Sequence, residues 1–166
     1  LIPIMIGLKL TGEGYIFYKQ ERIGFKNTKF HILKFATMLK DSPNMKGGVL
    51  TTKKDPRITP MGSFLRKSKI NELPQLFNIF LGDMSFVGPR PLTVQTFEFY
   101  SKRTQKIVKR VSPGLSGVGS IIFRSEEEIM QGAAASVNFY ENVIAPYKGS
   151  LEEWFVLNRG LKIYFL

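Results

Sequence analysis

Residues 64–75 (FLRKSKINELPQ) combine cations and a carboxylate at a predicted helix start, a pattern that suits phosphate binding. Arg66 and two lysines precede Asn71 and Glu72, and the backbone N–H groups at a helix start already favour anions. A structural interpretation is also open. In it Asn71 is the helix N-cap, and Glu72 only complements the helix dipole.

Two further segments carry cations in defined places. Residues 82–91 (GDMSFVGPRP) end in a Gly-Pro-Arg-Pro turn. Because the prolines restrict the backbone, this turn would hold Arg90 in a fixed direction, as a bidentate phosphate clamp requires. In residues 34–38 (KFATM), Lys34 closes a predicted strand. Both cations also fit ordinary solvated positions, so spacing alone does not decide between the two interpretations.

The composition limits the chemistry further. The chain has no cysteine and a single histidine, His31, which excludes thiolate chemistry, Cys-ligated zinc and a multi-histidine metal site. Lysine and arginine number 24 against 13 acidic residues, and the net charge of +11 implies an anionic partner. Nucleic acid, an acidic lipid surface and a phosphorylated substrate all fit that charge. No nucleic-acid-binding motif is present, and we predict no nucleic-acid partner.

The elements that must position these residues indicate a mixed α/β domain that is predominantly helical. With 166 residues, 43% of them apolar, the chain can bury one core, and we predict a single domain over residues 1–166. Extended segments are predicted at 15–19 and 29–38, and a long loop at 41–60. Helices are predicted at 71–82, 92–112, from 125 onwards, and at 150–166.

Residues 1–10 (LIPIMIGLKL) are nearly all apolar but too few to span a bilayer, which needs about 20 residues. A buried strand or the start of a helix is one interpretation. A membrane-inserted helix broken at Pro3, with Lys9 reaching lipid phosphates, is the other. The cations of 92–112 favour contact between an amphipathic helix and an anionic surface.

The central block NELPQLFN…GDMSFVGPRP (71–91) resembles the signature of the bacterial sugar transferase family, the monotopic phosphoglycosyl transferases. The similarity runs in family order over nearly the whole chain. It continues in the segments FYKQERIG (17–24), KFATM (34–38), DPRITPMG (55–62), PGLSG (113–117) and LEEWFVLN (151–158).

The resemblance implies an enzyme on the cytoplasmic face of the bacterial inner membrane. Such enzymes transfer a sugar-1-phosphate from a UDP-sugar to undecaprenyl phosphate, a polyprenol phosphate, and release UMP with the help of Mg²⁺. This transfer initiates a surface-glycan or glycoconjugate pathway. Residues 1–10 would be the second half of a re-entrant membrane helix whose first half is missing here.

The resemblance also implies roles for individual residues. In the family an Asp-Glu pair supplies the nucleophile and the Mg²⁺ ligand. Here Asn71 and Glu72 occupy that pair, and Glu72 is the predicted metal ligand. Lys34 is the predicted phosphate-positioning residue of the catalytic set. Three arginines are predicted to neutralise the diphosphate or the prenyl phosphate: Arg66, Arg90 and Arg124.

Two departures from the family pattern bear on activity. The nucleophilic Asp is replaced by Asn71, and a family Arg is replaced by Ala36. Because an amide cannot form an acyl-phosphate, three hypotheses stay open. Glu72 or another carboxylate takes over, transfer is direct, or the protein is an impaired membrane-bound homologue acting as a scaffold or regulator. Glu152, at a position where the family often has Asp, is either a second site carboxylate or a solvent-facing helix residue.

Overall fold

The computed structural model describes residues 2–42, 44–45, 51, 55–130, 136–160 and 163. The fold is mixed α/β, as predicted, and about half helical. The strands are β1 (Phe17–Ile23), β2 (Lys29–Phe35), β3 (Ser85–Val87) and β4 (Gly114–Ser116). The helices are α1 (Ile2–Thr11), α2 (Pro60–Lys67), α3 (Gln75–Phe80), α4 (Val94–Glu98), α5 (Lys102–Val108), α6 (Val118–Ile122), α7 (Glu126–Ile129), α8 (Val137–Phe139) and α9 (Ala145–Asn158).

Strands β1 and β2 form an antiparallel hairpin, which confirms that these segments are extended. Phe17 pairs with Phe35, and Ile23 pairs with Lys29 at the turn. Phe30 and Ile32 of β2 are buried while Lys29 and His31 are exposed, the alternation expected of a half-buried strand. The hairpin therefore turns one face to the core and carries Lys34 near its end.

Strands β3 and β4 form a short parallel pair that fixes the start of the Gly-Pro-Arg-Pro turn. The N–H of Gly88 donates to the carbonyl of Ser116, at 2.8 Å. A Cβ atom added to Gly114 would lie 2.1 Å from the backbone N of Gly88, so only glycine permits this approach of the two chains. The backbone leading to Arg90 is thereby held against β4.

Residues 1–10 had two open interpretations, and α1 begins at Ile2 and extends to Thr11. Leu8 on its inner face is buried and packs with residues of β2 and α2. On the outer face the side chains of Ile2, Ile6 and Leu10 are exposed. Among the helices of the described residues, none is both long and apolar enough to span a bilayer.

The helix predicted at 71–82 is wrong at its start. A 3₁₀ turn occupies Ile70–Glu72, and α3 begins only at Gln75. Pro74 has no N–H to donate to the carbonyl four residues earlier, so the α-helical hydrogen bonding cannot run through it. The N–H of Leu73 instead donates to the carbonyl of Ile70 at 3.1 Å.

The C-terminal half is built from helices that pack around two buried apolar clusters. Instead of a single helix at 92–112, α4 and α5 are separated at Ser101, whose hydroxyl accepts the N–H of Thr104 as an N-cap. Helix α9 begins before the predicted residue 150 and ends at Asn158, while residues 161–162 and 164–166 lie outside the described residues. The helix predicted from 125 corresponds to α7. Much of the loop predicted at 41–60 lies outside the residues that the structure describes.

Candidate active site

Glu72 lies between two cations that come from distant parts of the chain. Its Oε1 is 3.3 Å from Nζ of Lys34 and 3.8 Å from Nη2 of Arg90. The side chain of Glu72 is 18% exposed, so the group is largely withdrawn from water but still reachable. The structure thus brings together three of the predicted site residues.

Two tethers hold the elements that carry or flank these three side chains. On α3, the side chain of Asn78 accepts the N–H of Leu33 at 3.0 Å and donates to the carbonyl of His31 at 2.8 Å, which fastens α3 to β2. On β1, the guanidinium of Arg22 donates to the carbonyl of Pro91 at 3.1 Å, which fastens the Gly-Pro-Arg-Pro turn to the hairpin. Side-chain bonds to backbone therefore hold the site.

A cavity of about 280 Å³ opens beside this group. Its wall includes four residues that were predicted to belong to one site: Lys34, Arg66, Asn71 and Arg90. The other charged side chains in its wall are Arg22, Arg57, Glu126 and Lys148. A cavity with so many cations is suited to a polyanionic ligand such as a diphosphate.

The electrostatics of the site follow from burial and from these neighbours. Burial alone would raise the pKa of Glu72, but Lys34, Arg90 and Lys69 outweigh it and lower that pKa to about 2. Burial lowers the pKa of Lys34 to about 8, against the attraction of Glu72 and with repulsion from Arg90 and Arg22. Glu72 is therefore ionised, and Lys34 is mostly protonated, at neutral pH.

Arg22 experiences the same strongly positive surroundings. Burial first, and repulsion from Arg90 second, lower its pKa to about 10. Its Nε is buried without a hydrogen-bond partner among the described residues. Because Arg22 and Arg90 repel each other, an anion bound near both would be favourable.

Asn71 is not the N-cap that one interpretation made it. The residue lies inside the 3₁₀ turn and is only 6% exposed, and its Oδ1 is buried without a hydrogen-bond partner among the described residues. A buried acceptor that receives no hydrogen bond is costly unless a ligand satisfies it. Asn71 therefore lines the cavity and has a side-chain oxygen that receives no hydrogen bond from the described residues.

Arg124 is not brought into this group. It follows α6, its side chain is exposed, and it is not among the residues that line the cavity. Arg124 was predicted to neutralise phosphate together with Arg66 and Arg90, but it does not line the cavity that they share.

Several cavity residues escaped the sequence reasoning. Arg22 and Arg57 lie in segments 17–24 and 55–62, which resemble the family. That resemblance was the signal by which they could have been predicted. Arg57 forms a buried ion pair with Asp55 through Nη2 and Oδ2 at 2.6 Å. Lys148 pairs with Glu126 at 2.7 Å, and nothing local in the sequence indicated that a lysine of α9 would be buried.

Glu152 is not the solvent-facing residue that one alternative made it. It is 1% exposed, and its Oε1 accepts the backbone N–H of Arg90 at 3.3 Å. Burial raises the pKa of Glu152 to about 7, although the Arg90 N–H, Lys148 and the Arg90 charge all act in the opposite direction.

The sequence profile of the family described as bacterial sugar transferase matches residues 1–147. The chain belongs to the bacterial sugar transferase family. It is 38% identical to a UDP-glucose:undecaprenyl-phosphate glucose-1-phosphate transferase of Xanthomonas campestris pv. campestris, over 76% of this chain and 27% of that protein. A transferase with the same name from Escherichia coli K12 is 33% identical, over 100% of this chain and 34% of that protein.

A third relative from the bacterial sugar transferase comparison is nearer in length. The exopolysaccharide production protein ExoY of Sinorhizobium fredii is 36% identical, over 86% of this chain and 69% of that protein. The chain thus spans about a third or less of the two glucose-1-phosphate transferases. The relatives are named for transfer or for polysaccharide production, and nothing in these comparisons favours the scaffold hypothesis.

The residues of this bacterial sugar transferase site fit a magnesium ion that is held jointly with substrate. Among the described residues, no group of three or more His, Cys, Asp or Glu side chains could bind a metal unaided. Mg²⁺ commonly takes one or two carboxylates and completes its shell with substrate phosphates and water. The ionised Glu72 offers such a carboxylate, and the preceding residue, Asn71, has a buried side-chain oxygen that receives no hydrogen bond from the described residues.

Proposed function

We propose that this chain transfers a sugar-1-phosphate from a UDP-sugar to undecaprenyl phosphate. The observation that carries the proposal is the position of Glu72, between Lys34 and Arg90 and next to a cavity lined by cations. The names of the relatives, which specify undecaprenyl phosphate and UDP-glucose, support this choice of substrates. In this reaction the acceptor phosphate attacks the phosphorus that bears the sugar, and the bond to UMP breaks.

The cations neutralise and orient the phosphates. Lys34 and Arg90 lie on either side of Glu72 and would contact the diphosphate, while Arg66 lines the cavity beside them. A Mg²⁺ ion held by Glu72 and the substrate would supply further charge neutralisation to the diphosphate. Arg22, fixed against Pro91, keeps the turn that carries Arg90 in place.

We propose further that transfer in this chain is direct. The amide of Asn71 cannot form an acyl-phosphate, and Glu126, the carboxylate that lines the cavity, is paired with Lys148 at 2.7 Å. Glu72 is held by two cations and has a pKa of about 2, which makes it a weak nucleophile. The polyprenyl phosphate oxygen would therefore attack without a covalent enzyme intermediate.

We propose that the protein binds at the cytoplasmic face of the bacterial inner membrane, where both substrates meet. Helix α1 is apolar on both faces, with its outer side chains exposed. Around α3 the side chains of Phe77 and Phe80 are 61% and 88% exposed. Such exposed apolar surface suits contact with lipid, and these short elements would lie in one leaflet rather than span it.

The activity is tested by adding UDP-sugars, Mg²⁺ and undecaprenyl phosphate to protein in lipid vesicles and measuring UMP. Glu72→Gln should abolish the release, whereas Glu153→Gln, which removes an acid of α9 that pairs with Arg103 of α5, should leave it intact. Absence of UMP with every common UDP-sugar would refute the proposal.

The direct mechanism has its own test in mass spectrometry of the intact protein after exposure to a UDP-sugar. We expect no phosphosugar adduct on the natural chain and an adduct on residue 71 of Asn71→Asp. An adduct mapped to Glu72 in the natural chain would overturn direct transfer and leave the overall reaction standing.

A further inference from the structure

Glu152 is a buried carboxylate for which the proposed reaction has no use. It projects from α9, and one oxygen, Oε1, accepts the backbone N–H of Arg90 at 3.3 Å. The other oxygen, Oε2, is buried and has no hydrogen-bond partner among the described residues. Withdrawing a carboxylate from water in this way is unfavourable, so the position needs a reason other than stability.

The surroundings of Glu152 are shaped to admit its carboxylate. A Cβ atom added to Gly119 of α6 would lie 2.4 Å from Oε1, so the acid rests against bare backbone. On the turn, Pro89 and Pro91 have no N–H, which leaves the amide of Arg90 as the single donor between them. The contact therefore joins α9 to the only backbone N–H group of residues 89–91.

We propose that Glu152 is a positioning residue that holds the backbone of Arg90 so that its guanidinium faces Glu72. The inference rests on the proposed function, because Arg90 is assigned there to the diphosphate. The path is short. Glu152 bonds the Arg90 amide, and Nη2 of Arg90 is 3.8 Å from Oε1 of Glu72. An error of about 1 Å in such a group can cost on the order of 100-fold in rate.

The hydrogen bond between the Arg90 amide and Glu152 should depend on pH. The charged and titratable groups around Glu152 are Arg90 on the turn, Lys148 on α9 and Tyr100 after α4, and α6 faces it with the backbone of Gly119. Because burial raises the pKa of Glu152 to about 7, the stronger, ionised acceptor predominates above that pH. Lys34 titrates near 8 in the same site, so only a comparison with a Glu152 variant isolates this effect.

Hydrogen exchange at the Arg90 amide tests the contact without any substrate. In a peptide of residues 88–92 the N-terminal Gly88 has an amine and the two prolines have no N–H, so Arg90 is one of two exchanging amides. At fixed pH 8, Glu152→Ala should lower its protection about tenfold, the loss expected of one charge-assisted hydrogen bond. Glu153→Gln removes the neighbouring acid, which pairs with Arg103, and should leave the protection unchanged. Equal protection in Glu152→Ala and the natural chain would overturn the inference.

A double-mutant cycle tests the effect on the reaction. Glu152→Gln keeps a carbonyl acceptor and the shape of the side chain, and should raise the KM for the UDP-sugar about tenfold at pH 8 but little at pH 6. In an Arg90→Ala background the same change should have no effect, because the group that it positions is gone. An equal factor in both backgrounds, or parallel pH profiles of Glu152→Gln and the natural chain, would refute the positioning role. If no UDP-sugar yields UMP, the proposed function fails, and the exchange experiment still decides whether Glu152 holds Arg90.

Discussion

The loss of Glu72 should destabilise the protein much more than the loss of its partner Lys34. The pKa of Glu72 falls from 4.5 to about 2 on folding, and a shift of that size corresponds to about 3 kcal/mol of stability at neutral pH. The charge of Lys34 affects stability in the opposite direction. Its pKa falls from 10.5 to about 8, so keeping it charged below pH 8 costs stability rather than adding it.

Glu72→Gln should therefore lower the free energy of unfolding by about 3 kcal/mol at pH 7, because Lys34, Arg90 and Arg22 would then repel one another without the acid. Lys34→Met should change it by less than about 1 kcal/mol, since Arg90 and Lys69 still face the carboxylate. Both variants should lose UMP release almost completely. The effect of the pair on activity is thus separated from its effect on stability.

The assay is urea unfolding in detergent micelles between pH 2 and pH 8. The contribution of Glu72 is fully present above pH 4.5 and is lost as the pH falls towards 2, so this acid-dependent part should disappear in Glu72→Gln. The double variant Glu72→Gln/Lys34→Met should recover most of the lost stability. If Lys34→Met destabilises as much as Glu72→Gln, the electrostatic reasoning is refuted.

Three other predictions follow from single contacts. Asn78→Leu removes the tether of α3 to β2 and leaves the N–H of Leu33 without its acceptor, which should cost about 2–3 kcal/mol in urea unfolding. Gly62→Ala would place a Cβ atom 2.1 Å from the carbonyl of Thr37 and should destabilise α2 by about 2 kcal/mol, measured as a lower melting temperature. Arg90→Gln should reduce kcat/KM at least about 100-fold, whereas Arg124→Gln should reduce it less than about twofold, and equal losses would contradict the position of Arg124 outside the cavity.

Local patterns were sufficient for two extended segments and for the turn, but not for the pairing of β1 with β2. The alternation of Phe30 and Ile32 identifies a half-buried strand, and Gly-Pro-Arg-Pro permits few backbone conformations. The exposure of Phe80 could not be predicted from local patterns. Helical periodicity identifies an apolar stripe, but the stripe looks the same whether protein or lipid covers it.

Local patterns singled out Glu72, Arg90 and Lys34 as candidates, but only the resemblance placed them in one site. Glu72, Lys34 and Arg90 are 18 or more positions apart in the chain, and no local rule joins them. Lys148 and Glu152 form an i, i+4 pair on a helix, which normally indicates a solvated face. Their burial arises from contacts with α7 and with the Arg90 turn, and such long-range contacts leave no trace in the local sequence.

The amide at position 71 has a consequence for the charge of the site. Without a covalent intermediate, the diphosphate and the acceptor phosphate must occupy the site together, so more negative charge has to be neutralised at one moment. Within the described residues, Arg57 and Lys148 are already paired with Asp55 and Glu126. Arg22, Lys34 and Arg90 instead repel one another around Glu72.

Asn71 adds no further negative charge there, and its side-chain oxygen remains available to a ligand donor. A neutral residue at this point therefore favours the simultaneous binding that direct transfer requires.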